Sequence, residues 1–189
     1  MDALTLLGAD HNRVRGLFAR FKKAHEAEET GEAAQLAGKI FTELEVHTTI
    51  EEEIFYPWAR DLSVEVGETV DEGIQEHHVV KLLMQEINDL DPSTDEWTAK
   101  MTVLIENVEH HAEEEEKERF PKARSQSNAA DRQQLGERLD ARKGALGAPT
   151  VADKIDLTDE QLHQLATEQA IPGRSSMDHD ELAATVSPA

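Results

Sequence analysis

Two histidine–glutamate pairs are the residues best placed to do chemistry. His47 and Glu51 stand four residues apart, as do His111 and Glu115, and each pair runs on into a second glutamate, an aromatic residue and a proline: Glu52, Tyr56 and Pro57 in one, Glu116, Phe120 and Pro121 in the other. Residues four apart on a helix lie one above the other, so an imidazole nitrogen and a carboxylate oxygen on such a face can reach one metal ion. Two such pairs on facing helices bring both carboxylates between the imidazoles, and the two oxygens of each let it bridge two ions. Imidazole with carboxylate suits iron or manganese, with zinc as an alternative, and the absence of thiols disfavours copper(I).

The pairs are copies of one another at an offset of 64 residues. A second correspondence, at 66 residues, places Asp10-His11 on Glu76-His77, Val14 on Val80, Leu17 on Leu83, Phe18 on Met84 and Phe21 on Ile87. The chain therefore reads as two related helical hairpins. Each supplies a lone histidine on its first helix and a His/Glu pair on its second. The alignment also chooses between neighbours: of His77-His78 and His110-His111 only one each can face inward, and it selects His77, which shares a side with Ile74, Val80, Met84 and Ile87, and His111. The candidate ligands are His11, His47, Glu51, His77, His111 and Glu115.

A lone buried histidine is usually a hydrogen-bonded core residue, and a single H-x-x-x-E arises easily as a surface pair on a glutamate-rich helix. Two aligned copies with two aligned histidines weigh against that. Burying four imidazoles and two carboxylates without an ion would cost several kcal/mol. Glu113, Glu114 and Glu116 read as a solvated face, although Glu52 and Glu116 could accept hydrogen bonds from ligating imidazoles. Tyr56 and Trp58, near the prolines, read as packing groups, with Tyr56 a lesser alternative as a ligand.

Apolar residues at three- and four-residue steps predict the helices that must carry these side chains. The first spans about 4–28, the second 32–55 to the break at Pro57, the third 66–90 to Asp91-Pro92-Ser93, and the fourth starts after a cap at Thr94 and ends near Pro121. A short fifth covers about 129–143. The expectation is an all-α chain: an antiparallel four-helix bundle with a trailing fifth helix over 1–146, a linker over 147–152, and a small helical module over 153–189.

Composition narrows the function. The formal charge of -21 repels phosphate, which argues against nucleic acid or an anionic membrane as partner. The absence of cysteine excludes disulfides, zinc ribbons, iron–sulfur clusters and thiol catalysis. It fits a reducing cytoplasm, and the N-terminus lacks the pattern of a signal peptide. No window approaches a membrane span.

At Asp10-His11, His47-x-x-x-Glu51-Glu52, Glu76-His77 and His111-x-x-x-Glu115-Glu116, over about residues 4–124, the chain resembles the hemerythrin family, in particular its HHE cation-binding branch. The resemblance implies a non-haem centre of two iron ions, bridged by Glu51, Glu115 and an oxo or hydroxo group, with His11, His47, His77 and His111 as terminal ligands. Oxygen-carrying members use a fifth histidine four residues away on the third helix. Here those positions hold Gly73 and Lys81, which argues against simple oxygen carriage and for small-molecule reactivity or sensing.

After Asp153, Leu162-x-x-Leu165-Ala166, Ile171-Pro172-Gly173-Arg174-Ser175-x-Met177 and Glu181-Leu182 resemble a SAP-like module related to the N-terminal segment of Rho termination factors. Such modules commonly bind nucleic acid. This one carries eight acidic residues against Lys154 and Arg174, a net charge of -6, so it reads as an element that contacts the bundle or another protein. Three functions follow: a redox protein handling peroxide; a binding or sensing protein for oxygen, nitric oxide or iron whose tail reports the bundle's state; or a structural bundle with histidines satisfied without metal.

Overall fold

The computed structural model describes residues 1–150 and 157–186; the predicted linker and module thus lie partly outside the described residues. Among the described residues every regular element is a helix. Helix α1 is Ala3–Glu26, α2 Thr30–Ile50, α3 Tyr56–Arg60, α4 Val64–Asn88, α5 Asp95–Glu114, α6 Phe120–Ser125, α7 Ala129–Ala145, α8 Asp159–Glu168 and α9 His179–Thr185. Side-chain oxygens of Asp2, Ser63, Thr94 and Asn128 cap α1, α4, α5 and α7, each typically worth about 1 kcal/mol.

Helices α1 and α2 form one hairpin and α4 and α5 the other, while α7 covers the side where α1 and α2 meet. The buried side chains of the bundle fall into two cores. One gathers Val14, Phe18, Phe21, Leu36, Ile40, Leu44, Trp97, Met101 and Leu104. The other gathers Leu4, Leu7, Ile50, Phe55, Tyr56, Val70, Phe120, Leu135 and Leu139. Between them along the bundle lies a polar layer, and every candidate ligand sits in it.

The two prolines do not end their helices as expected. Neither helix stops. Each widens into one π-helical turn, Glu51–Phe55 and Glu115–Arg119, before α3 and α6 continue. Pro57 and Pro121 have no N–H to give the carbonyl four residues back. One residue earlier the ladder has already shifted register, with Tyr56 N–H on the Glu51 carbonyl and Phe120 N–H on that of Glu115. Such turns recur at functional sites, and here both begin on a candidate ligand.

The C-terminal segment has its own small core of Leu162, Ala166, Ile171, Leu182, Ala183 and Val186. It packs on α1. The buried Arg13 guanidinium donates to the backbone carbonyls of Thr185, at 2.8 Å, and Ala184. Gly16 lets the chain approach so closely that a Cβ there would stand 2.5 Å from the Gln169 carbonyl oxygen.

Candidate metal centre

All six candidate ligands are buried, and the structure brings them together; Glu51 and Glu115 have no exposed surface. The Nε2 atoms point inward in pairs, His11 and His47 at 3.1 Å, His77 and His111 at 3.2 Å. The carboxylates stand between the pairs. Glu51 Oε2 is 3.3 Å from the Nε2 of both His47 and His77, and Glu115 Oε2 is 3.4 Å from that of His11 and 3.7 Å from that of His111. Each glutamate thus reaches a histidine of either hairpin. His78 and His110 are exposed.

Each outward imidazole nitrogen faces a carboxylate. His11 Nδ1 is 2.9 Å from Glu116, His77 Nδ1 3.0 Å from Glu52, and His111 Nδ1 2.7 Å from Glu76; Asp10 stands 3.5 Å from His47 Nδ1. A proton held on Nδ1 leaves the Nε2 lone pair free to bind a metal, the usual arrangement behind ligating histidines. Glu52 and Glu116 were visible for this role in sequence. Asp10 and Glu76 were visible only as aligned neighbours of histidines.

These supports are themselves held. Buried Lys143 from α7 and Arg13, at 3.1 Å, grip Asp10. Arg119 grips Glu76 at 3.0 Å, and Lys81 and Arg15 hold Glu52 and Glu116 at 2.7 Å. Burial pushes the Asp10 carboxyl up, but Lys143 and Arg13 overcome it and leave it far below the usual range. Burial is likewise overcome by His111 and Arg119 at Glu76, and by His11 and Arg15 at Glu116, and both fall to about 2. Burial would lower His11 and His77, yet the surrounding glutamates raise both to about 9.

The donors fit a metal. Glu51 Oε1 and Oε2, Glu115 Oε2, Asp10 Oδ2 and His47 Nδ1 are buried without a hydrogen bond. Orphaned carboxylate oxygens in a dry core cost free energy unless something positive meets them. Among the described residues, three groups of donors have ligand atoms within 4.8 Å of one another: His11, His47, Glu51 and Glu115; Glu51, His77 and His111; and Glu76, His110 and Glu114, but only the first two are buried. A small, narrow cavity of about 20 Å³ touches all four histidines and is otherwise lined mainly by Val14, Phe18, Leu44, Val80, Val108 and Ala112. One water needs about 10–15 Å³, so the cavity admits a molecule of about two non-hydrogen atoms.

Tyr56 also enters the site. Its hydroxyl donates to Glu115 Oε1 at 3.2 Å and lies 3.2 Å from His77 Nε2. On a regular helix it would point about 140° away from Glu51. The π-helical turn swings it onto the same face. The signal was the tyrosine–proline pair after the ligand motif.

Residues 2–123 match the family model described as hemerythrin HHE cation binding domain. The chain is also 27% identical over 146 residues to a protein from Nostoc sp. (strain PCC 7120) named DNA nickase, an alignment covering 77% of this chain. The chain spans 40% of that relative's length. No solved structure matches significantly.

Proposed function

Because this chain belongs to the hemerythrin HHE cation-binding family, we propose that its buried layer holds two iron ions and serves to bind and transform a small oxidant, hydrogen peroxide above all, with oxygen and nitric oxide as ligands of similar size. The observation that carries the reading is the convergence of four Nε2 atoms on orphaned carboxylate oxygens. His11, His47, His77 and His111 would be terminal ligands and Glu51 and Glu115 the bridges, with manganese or zinc as alternatives to iron on the same donors. When bound, the iron pair would supply redox electrons and open coordination positions. The protein's own part is to orient the imidazoles through Asp10, Glu52, Glu76 and Glu116, to exclude bulk water with the two cores, and to limit what enters to the size of the cavity.

Iron content and the absorption of the oxo bridge test this in wild type beside His77→Ala and His78→Ala. The expected result is that the first variant loses the band, the second keeps it, and iron-loaded wild type consumes peroxide steadily. Purified, iron-loaded protein holding less than about one ion per chain would favour a purely structural bundle.

One observation favours a second reading, as a sensor. Asp10, behind His47, is gripped by Arg13, and Arg13 holds the carbonyls of Ala184 and Thr185 in the C-terminal segment. On that reading, removing iron speeds proteolysis of the segment, and an unchanged cleavage pattern counts against it. The relative's name suggests a third activity, which the site opposes. DNA cannot reach buried ligands through a cavity of about 20 Å³, and a charge of -21 repels its backbone. Supercoiled plasmid should stay intact with the iron-loaded protein. No helix among the described residues is long and apolar enough to cross a membrane.

A further inference from the structure

Gly73 lies one turn before His77 on α4, on the same face. A Cβ at that position would stand 2.8 Å from the Tyr56 hydroxyl oxygen and 3.2 Å from Arg119 Nη1. The missing side chain is the space the phenol occupies. The Tyr56 ring stacks on the His77 imidazole, with centroids 5.3 Å apart, and its oxygen comes to 3.2 Å from both His77 Nε2 and Glu115 Oε1. Donors about 2.1 Å from one small divalent ion lie roughly 3.0–3.4 Å from each other. His77–His111 at 3.2 Å and His77–Glu51 at 3.3 Å have that spacing, and Tyr56 shares it.

We propose that Tyr56 is a seventh protein ligand, its oxygen bound to the ion held by His77 and His111. The proposal rests on the di-iron reading above and adds a donor to it. On binding iron(III) the phenol O–H bond breaks, an oxygen–iron bond forms, and the proton leaves to solvent, as ligand protons do when metals bind. Arg119, whose Nη1 stands 3.8 Å from Glu115 Oε1, adds a positive charge beside the anionic donors. The two ions are then unequal. The one at His77 and His111 carries an additional oxygen donor, and the one at His11 and His47, where Phe120 stacks on His11 at 5.8 Å, keeps the positions open to a small ligand.

The chain has one tyrosine, which makes the test unambiguous. Iron(III)-loaded wild-type protein is prepared with ordinary and with ring-deuterated tyrosine, and resonance Raman spectra are recorded in its visible absorption. The expected result is enhanced phenolate ring modes that shift on deuteration, and loss of that absorption in Tyr56→Phe with iron retained. Retained iron and an oxo-bridge band without tyrosine modes overturns this proposal and leaves the di-iron reading standing. Failure to bind iron overturns both.

Discussion

Around His77 and His111 the repeat places Tyr56, Gly73 and Arg119. At the corresponding positions around His11 and His47 it places Phe120, Leu7 and Phe55. The backbone treats the halves alike: each has its π-helical turn, and each aromatic ring stacks on the lone histidine of a first helix. The chemistry differs. One half presents a hydroxyl and a guanidinium, and the other only hydrocarbon. The supports differ in the reverse sense. Asp10 is sealed against Lys143 and Arg13 in the interior, whereas Glu76, held by the buried Arg119, is itself partly in water. A repeated backbone thus supplies a symmetric set of candidate donors, and a few side chains behind it would make two metal positions unequal.

The largest effect should come from what the halves share. Glu115→Ala removes a carboxylate that approaches His11 of one and His111 of the other, so both positions fail together. Iron content measured after loading should drop to near zero, and a variant that keeps one ion per chain would show the halves to be independent.

The supports should separate the halves next. Asp10→Ala leaves the Lys143 ammonium and the Arg13 guanidinium without their shared carboxylate in a dry environment, and breaking a buried pair costs about 3–5 kcal/mol. Glu76→Ala removes a partly solvated group and leaves the buried Arg119 its second partner, Glu114 at 3.2 Å, so it should cost less, about 1 kcal/mol. Both should weaken iron binding by about 10- to 100-fold, the usual effect of removing a carboxylate behind a ligating histidine. Urea unfolding of the metal-free variants reads the first difference and iron titration reads the common effect. Equal unfolding midpoints would sink the distinction drawn between the two supports.

The inward set was legible because the repeat is. His47 with Glu51 is a weak signal alone, and its copy at His111 and Glu115 makes it a pattern; the same copy chose His77 over His78, and the structure buries the one and exposes the other. The all-helical bundle followed from the apolar period of its long helices. What stayed hidden has physical causes. Tyr56 was legible only as a packing group and a lesser alternative ligand, because the turn that carries it is not α-helical and obeys no 3.6-residue period. Lys143 meets Asp10 across 133 residues of sequence, and nothing near it distinguishes it from a solvated lysine on a polar helix. Arg13 reads as one more charge on α1 until the C-terminal segment is laid against it.

The smallest expected effect on stability tests the shape of the difference between halves. Leu7 is fully buried, and Leu7→Ala leaves a cavity beneath the hydrocarbon half, at about 2–5 kcal/mol. Gly73→Ala changes the corresponding position by a single methyl. In a helix interior that exchange ordinarily gains about 0.5–1 kcal/mol. Here the methyl meets the phenol oxygen and the guanidinium, and overpacking of this kind costs about 1–3 kcal/mol. The gain offsets part of the cost, so the melting temperature of the metal-free protein should fall less than in Leu7→Ala. The iron-loaded spectrum should move more, because the methyl must displace the hydroxyl of Tyr56. Leu7→Ala should lower the melting temperature further and leave the spectrum nearly as it was. Were the two variants to change stability and spectrum in the same proportion, Gly73 would be only a packing residue, and the inequality of the two metal positions would lose its structural basis.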